Sequence, residues 1–140
     1  RKKAYENFHL KNNLELHAHY YQDSLKDTTL TGIELTKKLL NLKTPPTAII
    51  CSLDKYFIGC LQECQERGLS TPKDISVVGY NDHDNYLSSQ NLTFISHPLT
   101  KMGKMAVEIL EKIEKGQKPY KLSKLIEPIL NKGKSDGKIN

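Results

Sequence analysis

The sequence has no tryptophan and three phenylalanines, and among 21 basic residues arginine occurs only as Arg1 and Arg67. Arginine is the better reader of base edges, and no dense basic cluster with interleaved aromatics is present, so this segment is not expected to grip nucleic acid directly. No apolar run approaches the roughly 18 residues of a membrane helix. The opening stretch shows no secretory-leader pattern, since Arg1-Lys2-Lys3 runs into Ala4-Tyr5-Glu6-Asn7 rather than an apolar stretch, which says little about a longer parent. An opening in mid-pattern reads as a piece of a longer protein. Cysteine is scarce: Cys51, Cys60 and Cys64 form an odd set without C-x-x-C spacing. They are expected to be small buried hydrophobes in a reducing compartment, which points to the cytoplasm. There is no G-x-S-x-G, no suggestive Cys–His pair and no glycine-rich phosphate loop. Nothing argues for an enzyme or a cofactor.

What is present fits one globular unit. The 140 residues are 37% apolar and 26% charged, with a net charge of +5. The basic excess lies at the two ends, as isolated lysines between apolar positions, and the middle third is acidic.

The opening "RKKAYENFHLKNN" predicts a helix with Ala4, Tyr5 and Phe8 on one side and Asn12-Asn13 as its stop. Residues 14–21, "LELHAHYY", alternate as a strand does. Thr31-x-x-Glu34 has the spacing of a capping box, followed by Leu35, Leu39 and Leu42 on one helical face. Pro45-Pro46 break that helix. "TAIICS" reads as a strand covered on both faces. Asp54 opens a helix carrying Phe57, Ile58, Leu61 and Cys64 and ending at Gly68. "ISVVGY" is a further buried strand, residues 81–92 a polar loop, and "TFIS" another short strand. The last helix runs from Pro98 and Thr100 to Gly116, with Met102, Ala106, Ile109 and Ile113 as its apolar face. "KLIEPIL" is a weak final strand, and the tail from Lys132 is expected to fray.

Strands alternating with helices predict an α/β fold with a parallel sheet flanked by helices. Right-handed crossovers then bring the carboxyl ends of the strands to one edge, where open sheets of this kind bind ligands. Those ends are Tyr20–Asp23, Ser52–Asp54, Tyr80–Asp82 and Ser96-His97, and all are polar or aromatic.

Several motifs stand in a fixed order: Pro46-Thr47-Ala48, Asp54, Gly59, Glu66-Arg67-Gly68-Leu69, Pro72-Lys73-Asp74-Ile75-Ser76-Val77-Val78-Gly79-Tyr80, Leu92-Thr93, Pro98 and Gly103-Lys104-x-Ala106. Together with Arg1-x-x-Ala4-Tyr5, they make the chain resemble the C-terminal part of LacI/GalR-family transcriptional regulators. The resemblance implies the C-terminal lobe of a type I periplasmic-binding-protein-like fold. It implies a cleft between two lobes that holds a small polar effector, such as a sugar or a related metabolite. It also implies a homodimer, and operator DNA bound through a head domain outside this chain. Residues 1–131 would be part of the effector-binding domain, with 93–115 crossing into or belonging to the other lobe, and 132–140 a flexible tail. An extracytoplasmic solute-binding protein of a transport system is the alternative use of the same fold.

The resemblance carries over four ligand-binding candidates. Arg1 matches an effector-binding arginine, whose fork suits vicinal hydroxyls or a carboxylate. Asp54 matches a ligand aspartate and is equally suited to capping its helix. Asn81 stands where the family usually has an effector-binding aspartate, and Asp82 follows it. Leu53 replaces a family asparagine, which removes an amide from the cleft. No metal site is expected: the loop "NDHDN" lacks the calcium-loop glycine and glutamate, and His17-x-His19 reads as a surface pair. His97 reads as structural, near the hinge.

Overall fold

The computed structural model describes residues 1–80, 89–118 and 123–138. Asn81 and Asp82 therefore lie outside the described residues.

Helix α1 spans Lys2–Lys11. Its stop is the expected one: the Asn12 side-chain amide donates to the Phe8 carbonyl at 2.8 Å, and Asn13 takes a positive φ of 54°. The alternating segment that follows is not a strand. Ala18–Tyr20 form a short 3-10 turn, and Leu14 and Leu16 stay exposed. A strand needs a neighbour to satisfy its backbone, and among the described residues the sheet offers this segment none. The His17, His19 and Tyr20 rings pack on one another instead.

Helix α2 spans Thr29–Leu40. Its cap lies three residues before the predicted capping box. The Thr28 hydroxyl accepts the Thr31 N–H at 3.1 Å, while Thr31 itself is buried inside the helix. Strand β1 (Ala48–Ile50) and helix α3 (Asp54–Glu66) follow, and α3 ends at Gly68 with φ 71°. Helices α2 and α3 cross with their backbones touching. A Cβ at Gly32 would stand 2.7 Å from the Tyr56 Cα, and one at Gly59 would collide with the Thr29 carbonyl.

Strand β2 (Ser76–Tyr80) is shared along its length. Ser76–Val78 pair in parallel with β1, and Gly79–Tyr80 pair in parallel with β3 (Phe94–Ser96). Strand β4 (Ile129–Asn131) closes the order β1-β2-β3-β4 and runs antiparallel to β3. The core gathers Leu35, Leu39, Ile49, Cys51, Phe57, Cys60, Cys64, Ile75, Val77 and Phe94 between the sheet and the α2–α3 pair. The three cysteines are free and buried, as the sequence predicted. Thiol–thiol hydrogen bonding and burial push the Cys60 and Cys64 thiols up, so both stay protonated.

Three further expectations need correction. Strand β1 is covered on one face only: Ile49 is buried, whereas Ile50 is 66% exposed. Helix α4 (Leu99–Glu114) has no buried residue, so its predicted stripe of Met102, Ala106, Ile109 and Ile113 meets no core within the described residues. The described part of the tail, residues 132–138, is anchored rather than frayed. Ser135 is 1% exposed, its carbonyl accepts the Val77 N–H at 2.7 Å, and its hydroxyl accepts the Thr93 N–H at 2.8 Å. Thr93 also bonds Asp136, and the Ser76 hydroxyl bonds the Gly137 backbone. The tail thus takes the free side of β2 below the point where β3 begins. Its lysines and glycines suggested solvent. Gly133 is needed instead because any side chain there would strike the Asn91–Leu92 backbone.

Candidate functional site

Strands β1, β2 and β3 are parallel, so their carboxyl ends share one edge. Three side chains meet there. Arg1, in front of α1, donates from Nη1 to the Ser52 carbonyl at 2.8 Å, just past β1. Its guanidinium carbon stands 4.1 Å from the centre of the Tyr80 ring, at the end of β2. Tyr80 in turn meets His97, just past β3, with ring centroids 5.3 Å apart and planes at 76°. The edge-to-face pair contributes about 0.5–1.5 kcal/mol beyond its buried area. The exposed cation–π contact adds about 0.5–1 kcal/mol. Arg1 is tied by one of its five N–H donors, and the fork can still bind a paired acceptor.

Asp54 lies at the same edge, half-exposed, as the first residue of α3. The cap position is Leu53, which supplies no side-chain bond, and Asp54 Oδ1 accepts the Lys55 N–H at 2.8 Å. Its charge sits favourably at the positive end of the helix. The neighbouring loop is held against this turn: the Tyr56 hydroxyl donates to the Lys26 carbonyl at 2.8 Å, and Lys55 Nζ lies 3.8 Å from Asp27 Oδ2. Burial, with help from Asp23 and Asp27, raises the Tyr56 pKa and keeps that hydroxyl a donor.

Of the four sequence candidates, Arg1 and Asp54 are brought to one edge, with Arg1 bound to the chain two residues before Asp54. Asn81 and Asp82 follow Tyr80 directly but lie outside the described residues. Tyr80 and His97 stand at the strand ends that the sequence assigns to the ligand edge, but neither is among the four ligand-binding candidates, and His97 reads there as structural. The signal that points to them is their shared position, one at the end of β2 and one just past β3.

A second concavity, lined by Pro45, Pro46, Thr47, Arg67, Leu69 and Asp74, lies at the opposite edge of the sheet. An open groove between β3, β4 and the start of α4 is lined by Ser96, His97, Lys101, Lys104, Met105 and Ile129. No helix among the described residues is long and apolar enough to cross a membrane.

Residues 1–135 match the periplasmic binding protein-like domain family. The ribose operon repressor of Haemophilus influenzae is 32% identical over 131 residues, covering 91% of this chain and 39% of that protein. The transcriptional repressor PurR of Glaesserella parasuis is 41% identical over 85 residues, covering 59% of this chain and 25% of that protein. Among solved structures, a LacI-family regulatory protein from Chloroflexus aggregans aligns with a TM-score of 0.86 and 26% identity, over 98% of this chain and 50% of that one. A transcriptional regulator described as putative, from Yersinia pestis, aligns with a TM-score of 0.87 and 26% identity, over the whole of this chain and 50% of that one. The chain spans a quarter to two fifths of these curated relatives and half of these solved chains. It belongs to the periplasmic binding protein-like domain family, in the form carried by LacI/GalR-type transcriptional regulators.

Proposed function

We propose that this chain is one lobe of the effector sensor of a cytoplasmic DNA-binding regulator, and that its ligand edge is the one carrying Arg1, Ser52, Asp54, Tyr80 and His97. The observation that carries the reading is the meeting of Arg1 with the ends of β1 and β2, which puts a guanidinium at the edge where parallel sheets bind ligands. Asn81 and Asp82, next in sequence after Tyr80, are the further ligand-binding candidates that this reading includes. The other wall comes from a second lobe, and residues 93–115 carry the chain towards it. The stripe on α4, unburied here, is then the surface that packs there. The named relatives are repressors, which favours regulation over solute transport.

The effector is a small polar metabolite, sugar-like or related, that prefers one arrangement of the lobes. Its differential affinity for the two arrangements shifts the operator affinity of a DNA-binding head. A homodimer completes the assembly. The test is thermal unfolding of the full-length protein against sugars, sugar phosphates and nucleobases, with Arg1→Ala and Asn81→Ala in parallel. A true effector at a hundredfold excess over its dissociation constant adds about 2.7 kcal/mol of stability. Both variants are expected to abolish most of that gain. A stabilising compound indifferent to both would refute this assignment of the edge.

A further inference from the structure

Arg1, Tyr80 and His97 come from three distant parts of the chain, yet each limits the next. Among the described residues the exposed Arg1 side chain has two anchors, the Ser52 carbonyl at 2.8 Å and the Tyr80 ring at 4.1 Å. Tyr80 has a fixed backbone, paired with Ile95, but its ring is half-exposed. Among the described residues, the aromatic contact on that ring is the His97 ring, 5.3 Å away at 76°. His97 is itself held, because its carbonyl accepts the Leu99 N–H at 2.8 Å at the entrance to α4.

We infer that Tyr80 and His97 are positioning residues for the effector site: His97 orients the Tyr80 ring, and the ring holds the Arg1 guanidinium ready for a ligand. The inference rests on the sensor reading for its consequence, which is affinity, but its geometry is independent of any ligand. An arginine already ordered loses less rotamer freedom on binding. Ordering one such side chain costs about 0.5–1.5 kcal/mol, so releasing it weakens binding about two- to tenfold. The same contact links the ligand edge to the segment that leads into α4.

The sequence provides a clean probe, since the chain has only two arginines. Selective 15N-arginine labelling of the 140-residue chain gives two side-chain Nε–H signals. Arg67, bound to Glu63 Oε1 at 2.6 Å near the far end of α3, is the internal control. Without ligand, the Arg1 signal is expected upfield under the ring current of Tyr80. Tyr80→Leu is expected to return it to the position of an unstacked arginine. His97→Ala is expected to move it part of the way, and His97→Phe, which keeps an aromatic edge, to restore it, with Arg67 fixed throughout. An Arg1 signal unchanged by His97→Ala overturns the inference. So does an Arg67 signal that moves in step with it, which would mean general loosening. Adding D-ribose as a probe separates the two readings. Absence of any ribose response counts against sensing of that sugar, while the ligand-free contrast judges the positioning role alone.

Discussion

Glu63 is a buried carboxylate at the α2–α3 contact. Its carboxylate is 2% exposed, bound by Arg67 Nε at 2.6 Å and approached by Lys37 Nζ at 3.6 Å, and its Oε2 makes no hydrogen bond. Arg67 also donates to the Asn41 side chain at 2.9 Å, so the pair ties the end of α3 to the end of α2. Removing the cation leaves a buried charge, and removing the charge does not. Arg67→Met is therefore expected to cost about 3 kcal/mol. Glu63→Gln, which keeps the shape and one acceptor, is expected to cost about 1–2 kcal/mol. Urea unfolding of both variants checks the order, and a larger loss for Glu63→Gln would contradict it. Asp136 adds a pH dependence of known sign. The Thr93 hydroxyl and then Lys132 hold its carboxyl below the usual carboxylate range. Its contribution is fully present above the unfolded-state value of about 3.9 and is lost as pH falls through the lower folded value. The unfolding midpoint of Asp136→Asn should therefore fall less steeply below pH 4 than that of the wild type.

Glycines in two helices are expected to respond oppositely to the same substitution. At the α2–α3 crossing a Cβ on Gly59 runs into the Thr29 carbonyl, whereas a Cβ on Gly103 in α4 meets nothing within 4 Å. Gly59→Ala is expected to destabilise by about 1–3 kcal/mol despite the better helix propensity of alanine. Gly103→Ala in this chain is expected to stabilise by about 0.5–1 kcal/mol. Thermal unfolding of the two variants decides the signs.

This scale also shows what was legible in the sequence. Helices α2 and α3 and strands β1, β2 and β3 follow from apolar spacing, proline breaks and Gly68, because local pattern and tertiary burial agree there. Residues 14–21 misled because alternation reports only a willingness to pair, and no partner strand lies beside them among the described residues. The capping box misled because Thr28 and Thr31 are both competent caps three residues apart. At the site, Arg1 and Asp54 were readable from motif positions. The Tyr80–His97 contact depends on strand register, which no local pattern encodes.

Across the whole molecule, order is uneven. Core, sheet and tail are knitted together, while α1 and α4 bury no residue. The tail matters more than its composition suggests. Removing residues 132–140 strips the buried Val77 and Thr93 N–H groups of their acceptors, each worth about 1–3 kcal/mol when left unsatisfied. Such a truncation is expected to lose several kcal/mol by denaturant unfolding. A tail that could be removed without loss would contradict the observed threading. The unburied stripe on α4 has the opposite implication, because it gains stability only when something packs against it.

The central claim is that ligand binds at the carboxyl edge of this sheet, and the most direct measurement is an amide chemical-shift map of the protein titrated with the stabilising compound. The account predicts that the signals of Ser52, Asp54, Tyr80 and His97 move, while those of Thr47, Leu69 and Asp74 at the opposite edge stay fixed. Movement at the opposite edge with Ser52, Asp54, Tyr80 and His97 unchanged would contradict it.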